Sequence, residues 1–429
     1  MRVWSSPRSR RWVLWGLLAT TFLLVNVYRL STAVIAEELM ATFEISGAAL
    51  GTLHATFFFV YAVMQIPTGV LVDRFGPRRT AAVGGVVLHL GAVVFALAPA
   101  YAPAFAGRFL IGLGGSVIFV STLRFCANWY SADEFGTMNG LSFAVAGIGG
   151  IIATTPLALL SGAVGWRRSI GLLAAAGFAL AVVAFALVRD SPERAGFDPI
   201  EGVPEQPRLS VAESWQFFRG VAGDRVTWVV FVLLFCIGGV NLTLFGLWGV
   251  PYIVQVYDTS VTTASLFTLM GGIGAVVGPP AFGRLSDRTG YRTEIMVVGG
   301  VLYTATLSVF ALLGSPPLPF VSLAFLLTGS LLGAFVLTYP MVVERNPSRA
   351  SGIALGTING ASFFGAALFP SAMGAVLDAY WTGELSGGVR VYTITGYRVA
   401  FALATLAAVV ALTCTLWLHW HNAGAVTSD

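Results

Sequence analysis

Residues 69–78 read GVLVDRFGPR, and residues 283–292 read GRLSDRTGYR. Glycine, leucine, aspartate, arginine, glycine and arginine recur at matching positions, and the two segments start about half a chain length apart in a chain of 429 residues. Each segment follows a long apolar run. Repetition over such a distance is the mark of an internal duplication. The sequence therefore predicts two homologous halves, each with a charged loop between two apolar segments.

The composition is that of a protein embedded in a membrane. Hydrophobic residues make up 56% of the chain, charged residues only 10%, and the mean hydropathy is +0.82. Soluble domains carry about 25% charged residues. Cys126, Cys236 and Cys414 lie inside apolar runs, without the spacing of a disulfide framework or a zinc site. The net charge of +4 does not indicate a nucleic-acid partner.

The apolar runs have the length of transmembrane helices, which need about 20 residues to cross the hydrocarbon layer. The first half supplies runs near residues 12–36, 47–71, 80–100, 104–128, 134–160 and 168–188. The second half supplies runs near residues 227–252, 262–284, 293–314, 318–341, 349–372 and 396–418. We therefore predict an all-α membrane protein with twelve transmembrane helices in two pseudo-symmetric six-helix bundles. The first run is too long for a cleaved signal peptide and is expected to be retained.

The domain boundaries follow from this pattern. Residues 1–188 form the predicted N-terminal bundle, residues 189–226 a cytoplasmic linker, and residues 227–429 the C-terminal bundle. The linker contains a capping box, Ser210 with Glu213, that opens a short amphipathic helix. A second repeat, GWR at 165–167 and GYR at 396–398, precedes the last run of each half and supports the division.

The loop charges predict the orientation, because cytoplasmic loops carry an excess of arginine and lysine. One side carries most of the loop arginines, among them Arg2, Arg8, Arg10, Arg11, Arg74, Arg78, Arg208, Arg292 and Arg349. The other side carries only Arg167, Arg168, Arg390 and Arg398, together with the acidic residues Glu37, Glu38 and Glu44. We expect both termini to be cytoplasmic, in a plasma (inner) membrane protein.

The repeated loop predicts a gate. In each copy a glycine precedes the aspartate by one helical turn, and a second glycine makes the tight turn before the next helix. Arginines alone could serve as anchors at anionic headgroups, but that role does not explain the aspartates or the glycines. We interpret the aspartates as partners across an inner gate. The predicted gating residues are Gly69, Asp73, Arg74, Gly76 and Arg78, and Gly283, Asp287, Arg288, Gly290 and Arg292.

The pattern Gly-x-Leu-x-Asp-Arg-x-Gly-x-Arg closely resembles the loop signature of the major facilitator superfamily. With twelve predicted spans and the two-half repeat, the resemblance covers essentially the whole chain. It implies a transporter that works by rocker-switch alternating access, with a substrate cavity between the halves near the middle of the membrane.

Ionisable residues inside the predicted spans are few, and each is a functional candidate because charge in hydrocarbon is costly. They are Arg29 on the first span, His54 on the second and Arg108 on the fourth. Acidic residues fall only near the ends of spans. Guanidinium groups without an acid predict an anionic substrate bound through paired hydrogen bonds. The alternatives are that Arg29 or Arg108, the latter closer to the surface, caps helix carbonyls, that Arg29 reaches toward the loop acids, and that His54 is a packing residue. His89, on the third span, we interpret as structural.

The second span sharpens the resemblance. The run from Gly51 to Gly69, which includes His54, Tyr61 and Gln65, is similar to the second span of the organic anion branch, the anion:cation symporters. Tyr28-Arg29 and Arg108 match the substrate-facing arginines of that branch, and His54 matches a histidine of its glutamate carriers. Two positions depart from it: Gly115 replaces the usual acid of the fourth span, and the seventh span has no arginine. Proton coupling through a carboxylate is therefore not expected.

The second half offers polar and aromatic groups in place of charge. Asn241, Trp248 and Tyr252 follow helical spacing on the seventh span, and Asn359 lies in the eleventh. They can bind substrate or form hydrogen bonds between helices. The complete predicted substrate site is Arg29, Arg108, His54, Tyr28, Tyr61, Asn26, Gln65, Asn241, Trp248, Tyr252 and Asn359.

The sequence as a whole favours a secondary active or facilitative transporter for a small organic anion such as a carboxylate, sugar acid or phosphate ester. A drug or neutral-solute exporter of the same superfamily, or a non-transporting membrane sensor, is the alternative. No arrangement of nucleophile, base or metal ligands indicates an enzyme, a metal or a cofactor. The expected partners are the anionic substrate, a coupling proton or sodium ion where transport is coupled, and the lipid bilayer. The expected state is a monomer, without nucleic acid.

Overall fold

The computed structural model describes residues 6–198, 200–203, 211–347 and 351–426. The first half contains α1 (Pro7–Leu30), α2 (Ala36–Phe43), α3 (Gly47–Phe75), α4 (Pro77–Leu97), α5 (Tyr101–Trp129), α6 (Ala132–Ile152), α7 (Thr155–Val164) and α8 (Trp166–Leu187). The remainder contains α9 (Val211–Gly223), α10 (Arg225–Thr243), α11 (Gly249–Tyr257), α12 (Val261–Thr289), α13 (Arg292–Leu313), α14 (Leu318–Val336), α15 (Thr338–Glu344), α16 (Ser351–Ala379) and α17 (Ile394–Val426). Short 3-10 turns occupy Ser31–Ala33 and Glu193–Ala195.

The predicted all-helical membrane architecture is confirmed. Within the described ranges, 11 helical segments are long and apolar enough to cross a membrane, and the bent pair formed by residues 36–43 and 47–63 raises the number to 12. Helices of this kind satisfy their backbone hydrogen bonds internally, which the hydrocarbon layer demands. Arg2, Arg208 and Arg349, which entered the predicted topology, and Ser210 of the predicted capping box lie outside the described residues.

Two local features differ from the prediction. The fifth apolar run, predicted as one span over 134–160, is broken between α6 and α7 at residues 153 and 154. A hairpin, β1 (Trp381–Ser386) and β2 (Val389–Tyr392), follows α16 and was not expected. Gly387 and Gly388 make its two-residue turn with φ of +59° and +84°, a conformation that glycine adopts without strain.

The seventh span contains a turn of π-helix. α10 ends at Thr243, residues Leu244–Trp248 form the π-turn, and α11 continues from Gly249. The amide of Gly249 donates to the carbonyl of Leu244, five residues back, which inserts one extra residue into the helical register. The expectation of an unbroken α-helical stripe from Asn241 to Tyr252 is therefore wrong, because the turn rotates the residues after it.

The chain divides into two compact units. The first contains the residues up to Arg29 and residues 63–211, and the second contains residues 30–62 and the chain from Ala212 onward. Residues 30–62, from the first half of the sequence, therefore pack with the C-terminal half. The predicted domain boundaries at residues 188 and 227 follow the sequence repeat and stay a prediction.

Glycines set the spacing of the closest helix pairs in each unit. In the first, a side chain at Gly91 or Gly107 would overlap the backbone of the facing helix, so α4 and α5 approach closely. In the second, Gly274 and Gly333 allow α12 and α14 the same approach. Small residues at helix interfaces are the usual means of packing in membranes, where van der Waals contact drives association. The two units thus share one packing mode.

Candidate functional site

Arg108 joins α5 to the end of α1. Its Nη1 donates to the backbone carbonyl of Tyr28 at 2.7 Å, and its side chain is only 1% exposed. Because α1 ends at Leu30, this carbonyl lies in the last turn, where carbonyls have no intrahelical donor. A cation there is also favoured by the helix dipole. The structure thus brings together two residues of the predicted substrate site.

Tyr28 and Asn26 are buried at the end of α1, and Arg29 and Gln65 are less so. The Tyr28 ring is buried, and its hydroxyl lies 3.3 Å from His89 Nδ1. Asn26, fully buried, donates to the carbonyl of Phe22 at 2.8 Å, one turn back in its own helix. Arg29 and Gln65 are half-buried. The amide nitrogen of Asn26 is therefore used within α1.

His54 and Tyr61 lie in the second unit, packed among aromatic rings. His54 is fully buried, with its ring 5.0 Å from that of Phe58. A methyl group at Gly246, in the π-turn, would lie 3.0 Å from two ring atoms of His54. Tyr61 packs its ring 4.6 Å from that of Phe363 on α16. The π-turn glycine therefore makes room for the imidazole.

The polar residues predicted in the second half make hydrogen bonds to neighbouring helices. Asn241 donates to the hydroxyl of Tyr303 at 3.1 Å and to a backbone carbonyl of α14 at 3.2 Å. The indole of Trp248 donates to the carbonyl of Pro370 at 3.0 Å. Tyr252 donates to a carbonyl after α13 at 2.7 Å, and Asn359 accepts from the hydroxyl of Tyr339 at 3.0 Å. In this structure these groups hold helices together, and their substrate role stays a prediction.

The first copy of the repeated loop is held within its own unit. Asp73 pairs with Arg124, at the end of α5, at 2.9 Å. The amide of Arg78 donates to Asp190 at 2.8 Å, and its Nε donates to a carbonyl at the end of α8 at 2.9 Å. Gly76 has φ of +81°, and a side chain there would overlap the carboxylate of Asp190. Asp190, which the sequence did not single out, therefore organises the turn.

The second copy uses different partners. Arg292 forms a two-pronged ion pair with Glu344 at 2.9 and 3.2 Å, and Gly290 makes the turn with φ of +74°. Asp287 lines an open depression of about 710 Å³ together with Arg345. Arg74 and Arg288 are exposed. The repeat thus conserves the turn glycine between the two loops but not the ion pairs.

The glycines that precede each aspartate make no close contact in this structure. Among the described residues, a methyl group at Gly69 or Gly283 would meet no atom within 4 Å. Within the described residues, neither glycine therefore brings a second helix into close contact. Within the same residues, no group of three or more His, Cys, Asp or Glu side chains is placed to hold a metal ion.

A twelve-span helical protein with two duplicated, charge-bearing loops and arginine inside its spans defines a class of membrane transport proteins. Residues 16–370 and 248–425 match the sequence profile of the Major Facilitator Superfamily. The chain belongs to this superfamily. It is therefore a transport protein and not an enzyme.

Relatives with assigned substrates confirm the resemblance to the organic anion branch. A probable galactarate/D-glucarate transporter of Bacillus subtilis is 25% identical over 411 residues, which cover 88% of each chain. A probable nitrate/nitrite transporter of Mycobacterium tuberculosis is 30% identical over 345 residues, covering 78% of this chain and 81% of the relative. A probable sulfoacetate transporter of Cupriavidus necator is 24% identical over 292 residues, covering 66% of both chains.

Solved structures show the same fold. A bacterial homolog of the human lysosomal transporter Spinster, crystallised in an inward-facing and unoccupied conformation, superposes with a TM-score of 0.77. The superposition covers 95% of this chain and 96% of that chain, at 16% sequence identity. The fold assigned from the repeat and the apolar spans is confirmed.

Proposed function

We propose that this protein transports a small organic anion, a carboxylate, sugar acid or phosphate ester, by alternating access. The observation that carries the proposal is the placement of charge. Arg108 lies within α5, 1% exposed, and Arg29 lies near the end of α1 in the same unit. Among the described residues, the acids of the spanning helices occur only in terminal turns. A negative substrate is the natural complement of this positive charge.

An intramembrane charge is costly, and the geometry of guanidinium suits anions. A charged side chain within a span costs at least a few kcal/mol, so its retention calls for a function. Guanidinium presents a planar set of N–H donors that match carboxylate, phosphate and similar anions in pairs. Arg108 commits one nitrogen to the carbonyl of Tyr28, which fixes the direction of the fork. Arg29, half-buried, supplies the second guanidinium.

The named relatives support an anionic substrate but do not point to one chemical class of anion. Their assigned substrates are a sulfonate, sugar diacids and small inorganic anions. Negative charge is what these substrates share. We propose that Tyr28, Asn26 and Gln65 complete the charged part of the site beside the arginines of the first unit. We propose separately that His54, Tyr61, Asn241, Trp248, Tyr252 and Asn359 of the second unit contact substrate by shape and hydroxyl recognition.

The proposal extends to gating and topology. We propose that both termini face the cytoplasm in a plasma (inner) membrane monomer, and that a proton or sodium ion can couple to transport. The two repeated loops then lie at the inner surface. The ion pairs of Asp73 with Arg124 and of Arg292 with Glu344 stabilise one conformation of each loop. Substrate binding would shift the balance toward the other.

The test is uptake into proteoliposomes of a labelled panel: D-glucarate, tartrate, sulfoacetate, nitrate and, as neutral and cationic controls, glucose and tetraphenylphosphonium. Loss of a charge-assisted hydrogen bond costs about 1.5–3 kcal/mol, or about 10- to 150-fold in affinity. Arg29→Ala and Arg108→Ala should therefore lose uptake of the preferred anion at least tenfold. Arg168→Ala, which removes the same charge from an exposed position, should retain it. Uptake of only the neutral or cationic solutes, or normal anion uptake by Arg29→Ala, would contradict the proposal.

A further inference from the structure

A fully buried histidine lies beside the proposed anion site. His89, on α4, is 0% exposed, and its Nδ1 lies 3.3 Å from the hydroxyl of Tyr28 on α1. The two rings meet edge to face with their centroids 5.9 Å apart. On its other side the imidazole lies against Gly177 of α8, where a methyl group would overlap the ring. Three helices therefore define the position of this side chain.

The space left by the missing side chain of Gly177 indicates that the imidazole is specifically accommodated. A buried polar ring is costly unless it forms a hydrogen bond, and an aliphatic side chain would fill an apolar gap without that cost. The Nε2 of His89 has no hydrogen-bond partner among the described residues. The contact with Tyr28 is the hydrogen bond that the structure provides for the ring. Packing alone therefore does not explain histidine at this position.

Tyr28 links this histidine to the intramembrane arginine. Its hydroxyl meets His89, and its backbone carbonyl accepts from Arg108 Nη1 at 2.7 Å. The carbonyl lies in the last turn of α1. The anchored ring fixes the orientation of residue 28 and hence the direction of that carbonyl. A chain of contacts then runs from α4 through α1 to the guanidinium on α5.

We propose that His89 is a positioning residue of the anion site, which holds the guanidinium of Arg108 in its binding geometry through Tyr28. The inference rests on the proposed anion transport. In this arrangement the Tyr28 hydroxyl bonds to His89. Tyr28 then contributes to the anion site through its backbone carbonyl. The sequence alone had indicated only a structural role for this histidine.

The test uses five variants in the uptake assay, with the anion of the panel that wild type takes up best. His89→Leu, Tyr28→Phe and Gly177→Ala each break the chain at a different element and should raise KM about tenfold, with kcat within about twofold, since a misplaced guanidinium weakens binding first. His89→Asn places an amide where Nδ1 lies and should restore KM to within about threefold of wild type. Thr122→Val, a buried change on α5 whose hydroxyl bonds only its own helix, should leave KM unchanged.

Thermal unfolding of the purified protein tests the same chain without any substrate. If His89 acts through Tyr28, the double variant His89→Leu with Tyr28→Phe should melt no lower than the worse single variant. His89→Leu with Arg108→Ala should likewise be less than additive. If no anion of the panel is transported, the proposed function fails. The two double-variant comparisons still show whether His89, Tyr28 and Arg108 act as one unit.

The outcomes separate positioning from packing. A rise in KM with rescue by His89→Asn and non-additive melting supports the proposal. An unchanged KM in His89→Leu, with a lower melting temperature only, overturns it in favour of packing. Additive melting in both cycles also overturns it, because residues that act as one unit do not add.

Discussion

Asp378→Ala should remove a stabilising contact between two helices, α3 and α16, that are far apart in sequence. Asp378 lies in the last turn of α16, with its side chain 17% exposed. Its Oδ1 and Oδ2 accept from the backbone amides of Gly47 and Ala48, each at 2.8 Å, at the first turn of α3. Arg390 of β2 donates to the same carboxylate at 3.2 Å, and the hydroxyl of Tyr392 donates at 3.3 Å. The Asp378 side chain thus caps α3 and connects it through hydrogen bonds to α16 and the hairpin.

The magnitude follows from the bonds that alanine removes. Loss of a helix N-cap costs about 1 kcal/mol. The carboxylate at the positive end of the helix dipole adds about 0.5 kcal/mol. The partly exposed ion pair with Arg390, discounted for solvent screening, adds about 0.5 kcal/mol. The sum is about 2 kcal/mol, which at the unfolding entropy of a chain of this length lowers the melting temperature by about 2 °C.

The assay is thermal unfolding in detergent, followed by intrinsic fluorescence. Asp378→Asn retains one acceptor oxygen and the capping geometry, so it should lose less than the alanine variant. Glu384→Gln, an exposed acid in the same hairpin, should melt like wild type. If Asp378→Ala also melts like wild type, the two amide contacts contribute nothing to stability and the reasoning fails.

Two further predictions concern helix packing and the titration of a tyrosine in the hairpin. Gly51→Ala should lower the melting temperature, because a methyl group there overlaps the backbone of Pro370. Gly16→Ala, where a methyl group meets no atom within 4 Å, should raise the melting temperature slightly through better helix propensity. Equal melting temperatures of the two variants would contradict this prediction. Burial, followed by the Asp378 carboxylate, raises the pKa of Tyr392 in β2. A raised pKa means that stability falls as pH rises above the unfolded value of about 10. Tyr392→Phe should reduce the slope of the free energy of unfolding against pH by about one proton. An unchanged slope would contradict the raised pKa of Tyr392.

Much of the fold was predictable because its main determinant is local. A run of about 20 apolar residues identifies a span wherever it occurs, and the two GxLxDRxGxR segments identify the halves without reference to any contact. The turn glycines Gly76 and Gly290 were predictable in the same way, since both adopt the positive φ that their place in the repeat required. The hairpin after α16 was not predicted, because its strands lack the regular alternation of a buried face.

The sequence selected the residues of the candidate site, which stay a prediction, but it did not indicate their contacts. Arg108 and Tyr28 were both singled out as lining residues, yet their bond runs from the guanidinium to a backbone carbonyl, which no side-chain pattern indicates. His89 was interpreted as structural, because a single histidine on an apolar helix has no spacing signal. The π-turn after Thr243 escaped detection because one extra residue in a helix leaves the hydropathy profile unchanged.

By itself, the sequence determined the membrane class, the duplication, the superfamily and the presence of arginine within the spans. These are properties of composition and of order along the chain. Only the tertiary structure decided that Asp378 caps α3, that Asp190 organises the first loop, and that the Tyr28 hydroxyl meets His89. Each of these contacts joins residues at least 60 positions apart, so it depends on how helices pack and on which buried polar atoms must find a partner.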